Sequence, residues 1–337
     1  MLPQYHYAIQ FSIAIIAAYV MRIWGNEICG TEYIFCQPYE SVYILMSGYV
    51  VYHTVMIIIL LICASFKEEF YFKSAHTEWF LWKYITLLYF LMYSFVPASS
   101  ITTNDFEYAS HIYLTMAIIY LFIQGLLLYG CSARQIRELL EWVYLKGGDA
   151  SIIRWILLII LLLYIGCYAA LFCMVRFMSG NEYIATAAGI MIVIISYISL
   201  TKSTRDANSA DGGVGNMGLG QAVTISTYSV FILLTAMNSQ PLGLDTEIIW
   251  QVLFVVGMIF AFWILAHTIA KDTSVRECVF LHFVHILAAF YSAALLTNWS
   301  ISHNSEHSEL VFWMQIVSAF FMYIIFIGHA CLPIVFS

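Results

Sequence analysis

Apolar runs of bilayer length, broken by short polar connections, make up almost the whole chain. They fall at about 6–24, 41–65, 79–98, 106–133, 151–178, 182–201, 217–237, 247–270, 277–297 and 309–335. A helix of roughly 20 residues crosses a hydrocarbon core of about 30 Å, so the pattern predicts ten spans. The longest connection, Lys202 to Asn216, is rich in Ser, Gly, Asn and Asp and reads as a flexible linker and a natural mid-chain boundary. One segment is too long for a simple crossing. Phe106–Lys146 is 41 residues without proline, preceded by Asn104 and Asp105, with Glu107 placed for an Asn-x-x-Glu capping box and Gly147-Gly148 behind it. It predicts one helix of about 60 Å. The alternative is a span, a break near Gly130-Cys131-Ser132 and a separate surface helix.

Composition agrees with this pattern. Of 337 residues, 62% are hydrophobic and 10% charged, which no water-soluble domain of this length requires. The expected fold class is an all-α polytopic membrane protein, with residues 1–337 forming a single transmembrane domain. The net charge of −7 gives no reason to expect nucleic-acid binding. Tyr7 to Val20 lacks a basic leader and a small-residue cleavage site, so it reads as the first span and not as a signal peptide.

Charge then orients the spans. The even-numbered connections hold eleven of the thirteen Lys and Arg residues, and the odd-numbered ones hold only Arg22 and Arg176. Acids divide ten and ten. This positive-inside bias places the even connections and both termini in the cytosol. Cys29 and Cys36 share an outer connection, where a disulfide forms readily. Asn298-Trp299-Ser300 is a glycosylation sequon close to the outer membrane surface.

Candidate chemistry is sparse. The chain has no P-loop, no Gly-x-Ser-x-Gly and no His-Glu-x-x-His, so neither an enzyme nor a cofactor is expected. His282 and His285 stand three apart on the ninth span, but no further ligands for a metal can be identified. On the seventh span Gln221, Thr224, Tyr228, Thr235 and Asn238 keep to one helical face, interrupted only by Phe231. Five hydrogen-bonding side chains do not belong against lipid tails. They either line a hydrophilic groove or bond one helix to another. Cys278, His282, His285 and Ser292 make a second stripe on the ninth span, and the two stripes together suggest a shared polar interior. Lys83 and Arg154 lie just inside cytosolic span ends beside Trp82 and Trp155, where long cations snorkel to the interface and can meet lipid headgroups.

Several stretches resemble the serine incorporator (Serinc) family and occur in that family's order. They are Gly220-Gln221 through Tyr228 to Thr235-Ala236-Met237-Asn238-Ser239-Gln240-Pro241, Val42-Tyr43 to Phe66, Glu78-Trp79-Phe80-Leu81-Trp82-Lys83 to Val96-Pro97, Ile119 to Trp142 with Ile123-Gln124, and Phe283 through Leu295-Leu296-Thr297-Asn298-Trp299. The first and the last are the specific ones. The resemblance implies ten transmembrane helices in two bundles joined by a long diagonal helix at about 106–146. It also implies a non-enzymatic role in moving or supplying membrane lipids: ATP-independent scrambling of phospholipids, phosphatidylserine among them, and support of serine incorporation into phosphatidylserine and sphingolipids. The membrane is then the plasma membrane or an endomembrane. Membrane phospholipids are the expected partners, with a homo-oligomer or a lipid-synthesis enzyme beside them. Two other functions stay open, a secondary transporter of a small polar solute such as serine, and a non-catalytic scaffold for a lipid-synthesis enzyme. The family's cysteine-rich leader has no counterpart in these residues, its long cytosolic loop before the ninth span is reduced to Lys271–Arg276, and its Phe-His-Phe is Leu281-His282-Phe283 followed by a second histidine, His285.

Overall fold

A computed structural model describes residues 3–29, 36–65, 78–98, 103–145, 150–177, 182–201, 217–238, 252, 254–263, 274–299 and 308–336. Its helices are α1 (Pro3–Cys29), α2 (Pro38–Ser65), α3 (Phe80–Tyr93), α4 (Phe95–Ala98), α5 (Thr103–Leu145), α6 (Ala150–Phe177), α7 (Glu182–Leu200), α8 (Met217–Asn238), α9 (Phe254–Trp263), α10 (Val275–Leu296) and α11 (Ser308–Phe336). Each predicted span overlaps at least one of them, with 79–98 divided between α3 and α4 and much of 247–270 outside the described residues. Among the described residues eight are long and apolar enough to cross a membrane, while α3 and α9 are shorter apolar helices. The shortness of α3 has a local cause. Pro97 has no backbone N–H to return toward Tyr93, so the chain turns at Ser94 and restarts as α4. Ser94 closes the end of α3 with its N–H on Phe90 O at 3.1 Å and its hydroxyl on Leu91 O at 2.7 Å.

The long segment is one helix of 43 residues that runs unbroken through Gly130-Cys131-Ser132. At 1.5 Å per residue it is about 65 Å long. It begins at Thr103, so Asn104 lies in the first turn and not at the cap. The side chains of its first and last turns lie outside the described residues.

The chain forms two compact units, residues 1–121 with 241–308 and residues 122–240 with 309–337. The boundary therefore does not fall in the Lys202–Asn216 linker, which lies outside the described residues. The chain passes between the units at 121/122, inside α5, and again at 240/241 and 308/309.

In the first unit α10 is the central element. Cys278, Leu281, Val284, Leu287, Ala288, Tyr291 and Leu295 are all buried, and α10 packs mainly on α2. Alanines at 288, 289, 293 and 294 let neighbouring backbones approach. Its start is capped by Ser274, whose Oγ accepts the Glu277 N–H at 3.3 Å and whose hydroxyl donates to Glu277 Oε2 at 3.0 Å. Its end explains the Leu-Thr-Asn-Trp run. Asn298 and Trp299 take φ of 50° and 57°, which returns the Trp299 N–H to Ala294 O at 2.6 Å and the Asn298 N–H to Leu295 O at 3.2 Å. Trp299 is then buried edge-on to Tyr291, and Arg22 donates to Leu296 O at 3.2 Å with its guanidinium 4.2 Å from the Tyr39 ring centre. A cation at the carbonyl end of a helix is favourable. Cys36 is disulfide-bonded, while the side chain of Cys29 lies outside the described residues.

In the second unit α8 packs on α6 and α7, and Ser229 donates to Ala319 O of α11 at 3.0 Å. By contrast α6 is a lipid-facing helix. Ile159, Leu161, Leu162, Ile165 and Phe172 are each more than half exposed. Large apolar side chains turned outward along a helix this hydrophobic are stable only against acyl chains.

Gly48 fixes the approach of α2 to α3. A Cβ there would stand 2.5 Å from Phe90 O and 3.1 Å from Leu91 Cα, both backbone atoms that cannot rotate away. At Gly166 a Cβ meets nothing within 4 Å. Thermal unfolding in detergent should therefore show Gly48→Ala destabilised by about 1–3 kcal/mol, whereas Gly166→Ala should be neutral or stabilised by up to ~1 kcal/mol.

Candidate functional site: a buried histidine cluster

The first unit encloses a group of polar side chains from four helices. Tyr7 and Gln10 stand three apart on α1, Tyr49, Tyr52 and His53 within one turn of α2, Lys83 on the inner face of α3, and His282 and His285 three apart on α10. The spacings of three and four place each set on one helical face, so the faces meet inside the unit. His53, His282 and His285 are all 0% exposed.

The hydrogen bonds tie α2 to α10. His53 Nδ1 lies 2.7 Å from His282 Nδ1, and the Tyr49 hydroxyl lies 2.5 Å from His285 Nδ1. The first distance requires one Nδ1 to carry a proton and the other to offer a lone pair, so the two imidazoles cannot both be doubly protonated in this geometry. If the Tyr49 hydroxyl donates to His285 Nδ1, that ring carries its proton on Nε2. Aromatic contacts fix the rings further. His53 and His285 stack with centroids 4.1 Å apart and planes 21° apart, Phe262 of α9 meets His285 edge-on at 4.5 Å, and Tyr7 meets His282 edge-on at 5.2 Å. Tyr52 donates weakly to Gln10 Oε1 at 3.5 Å. The Nε2 atoms of Gln10, His53 and His285 are buried without a hydrogen-bond partner. Each uncompensated buried group of this kind costs about 1–3 kcal/mol, which makes the cluster a candidate polar site.

Lys83 corrects one expectation. It does not snorkel to the headgroups, being only 4% exposed. Lys83, Leu87 and Leu91 form the inner face of α3, while Trp82, Ile85, Leu88, Tyr89 and Met92 face outward. Its ammonium donates to the Tyr7 hydroxyl at 3.4 Å and sits 4.4 Å from the Phe80 ring centre and 5.4 Å from that of Tyr7. Aromatic faces and a hydroxyl thus surround the amine in place of water. Arg154, by contrast, is exposed near the start of α6 beside exposed Trp155, as an interfacial cation should be.

The other predicted residues lie elsewhere. Gln221, Thr224, Tyr228 and Thr235 belong to the second unit, so they and the α10 histidines are parts of different units. The Thr224 hydroxyl closes on Gly220 O at 2.9 Å and that of Thr235 on Ile232 O at 2.7 Å. Gln221 is half-buried and Tyr228 is buried beside Gly125, close to Met322. The side chain of Asn238 lies outside the described residues. Asn298 is half-buried at the left-handed turn behind α10. Among the described residues no group of His, Cys, Asp and Glu is arranged to hold a metal ion. Sequence reasoning missed His53, Tyr49, Tyr7 and Gln10. A histidine within the second apolar run, four residues after Tyr49, was the available signal.

Apolar spanning helices with outward-facing aliphatic residues and enclosed polar groups define an all-α, multi-pass integral membrane protein. The chain matches the family model described as serine incorporator (Serinc) over residues 4–279 and 276–337, and it belongs to that family. No curated protein matches it.

The Tyr49 hydroxyl supplies the partner of His285 Nδ1. Tyr49→Phe keeps the ring and removes that partner. Thermal unfolding in detergent should show it less stable by about 1–3 kcal/mol, whereas Tyr89→Phe, on the exposed face of α3, should lie within about 0.5 kcal/mol of the parent.

Proposed function

We propose that this protein moves phospholipids between membrane leaflets without ATP, phosphatidylserine included, and through that activity supports serine incorporation into phosphatidylserine and sphingolipids. The observation that carries the reading is membership of the serine incorporator family across nearly the whole chain. The physical obstacle to such movement is the headgroup, whose charge must leave water while the acyl tails stay in lipid. Polar side chains within the spanning helices lower that barrier. In this reading Gln221 and Thr224, half-buried on α8, are the first contacts offered to a passing headgroup, and Arg154 holds phosphate at the interface. Movement follows the existing gradient, and the protein is not an enzyme. Both termini and the even-numbered connections face the cytosol in this reading, which the placement of eleven of thirteen cations supports. The membrane is the plasma membrane or an endomembrane, and its phospholipids are the working partners.

A second reading has its own observation. The histidine cluster is fully enclosed, which suits a small polar solute or a proton better than a lipid headgroup whose tails remain in the bilayer. A secondary transporter of a solute such as serine is its concrete form.

Reconstitution separates the two. Liposomes containing the purified protein and fluorescent phosphatidylserine should lose outer-leaflet exclusivity of the probe faster than protein-free liposomes, with no nucleotide present. Radiolabelled serine should not accumulate. A flip rate equal to that of empty liposomes overturns the first reading, and saturable serine uptake in the same vesicles establishes the second.

A further inference from the structure

A cleft of about 870 Å³ opens beside the first turns of α10 in the first unit. Its floor is apolar, made by Ile57 of α2 with Phe280 and Phe283 of α10, and the two phenylalanines are 39% and 42% exposed. Its lip is charged, with Arg276 and Glu277 both lining it. In a multi-pass membrane protein an apolar cleft at the end of a spanning helix opens on lipid. The volume lies within the ~300–1,000 Å³ usual for ligand sites, enough for a headgroup and part of one chain.

The lip says which headgroup. Arg276 is exposed, and a guanidinium presents planar paired donors that match a phosphate. Glu277 is half-buried, and its carboxylate is held in place by the Ser274 hydroxyl, which donates to Oε2 at 3.0 Å. Its carboxylate keeps lone pairs for a further donor. An anion-binding and a cation-binding group thus stand on adjacent residues above an apolar floor. That is the charge pattern complementary to a headgroup carrying both phosphate and ammonium. We infer that this cleft binds one amine-bearing glycerophospholipid, with its phosphate at Arg276, its ammonium at Glu277 and an acyl chain along Ile57, Phe280 and Phe283. On the charge asymmetry of the connections, the site lies in the cytosolic leaflet. It does not depend on lipid scrambling, since a protein that moves no lipid can still hold this one.

The test uses the full-length chain in phosphatidylcholine nanodiscs. The probes are phosphatidylethanolamine and phosphatidylglycerol, each with a photoactivatable diazirine in one acyl chain, and labelled peptides are read by mass spectrometry. The ethanolamine probe should label residues 275–283 and the segment around Ile57 in preference to the exposed face of α6. Arg276→Gln should lower labelling there by both probes, roughly tenfold, as loss of a charge-assisted contact to phosphate implies. Glu277→Gln keeps an acceptor for the Ser274 hydroxyl and should abolish the preference for ethanolamine over glycerol while leaving glycerol labelling unchanged. Labelling spread evenly over all lipid-facing helices, or unaltered by both substitutions, overturns the site. Scrambling measured on the same preparations keeps the two claims apart: labelling here without scrambling supports the site alone, and scrambling with uniform labelling removes the site alone.

Discussion

A polar group inside a bilayer must find its partner within the protein, because the hydrocarbon offers none. The first unit meets that constraint through two bonded pairs, while the Nε2 atoms of Gln10, His53 and His285 keep no partner. His53 and His282 satisfy one another at 2.7 Å, Tyr49 answers His285 at 2.5 Å, and both pairs join α2 to α10, the most extensively packed pair of helices in that unit. The hydrophobic effect gives transmembrane helices little reason to prefer one neighbour over another, so specific contacts of this kind set which faces meet. The alanines of α10 let the backbones approach, and Gly48 does the same where α2 meets α3. The histidine and tyrosine pairs then fix rotation and register.

The same constraint governs the ends of α10. A helix that stops at a membrane surface leaves carbonyls without donors. Here the Trp299 and Asn298 N–H groups fold back on Ala294 and Leu295, Arg22 serves Leu296, and the Tyr43 hydroxyl meets Thr297 Oγ1 at 3.0 Å. The Leu-Thr-Asn-Trp run is therefore first of all a helix terminator with an aromatic plug. Lys83 follows the same logic, since its amine takes aromatic faces and a hydroxyl in place of water.

The fold was legible in the sequence because apolar runs of crossing length are an unambiguous signal, and the 43-residue helix was legible because nothing in it breaks a helix. Two features were hidden. The division into units inside α5 depends on which faces pack, and linker composition at Lys202–Asn216 carries no such information. The site was half visible. The spacing of His282 and His285 announced a shared face, but their partners lie 229 and 236 residues away in the chain, at His53 and Tyr49. Periodicity within one helix cannot name a partner in another. Lys83 misled for a related reason, because its nearness to a span end predicts snorkelling, whereas in the fold its amine packs against Phe80 and Tyr7. On α8 the stripe of polar residues was real, yet Thr224 and Thr235 satisfy their hydroxyls on their own helix, a choice that residue spacing does not reveal.

The central claim is that the His53–His282 contact is an energetic bond between α2 and α10. A double-mutant cycle on unfolding in detergent tests it most directly, using His53→Phe, His282→Phe and the pair, since phenylalanine keeps a ring while deleting the nitrogens. The account predicts that the double variant loses less stability than the two single losses added together, with a coupling of about 1 kcal/mol or more. Losses that add to within about 0.3 kcal/mol would contradict it, because two residues that behave independently do not hold the helices together through one another.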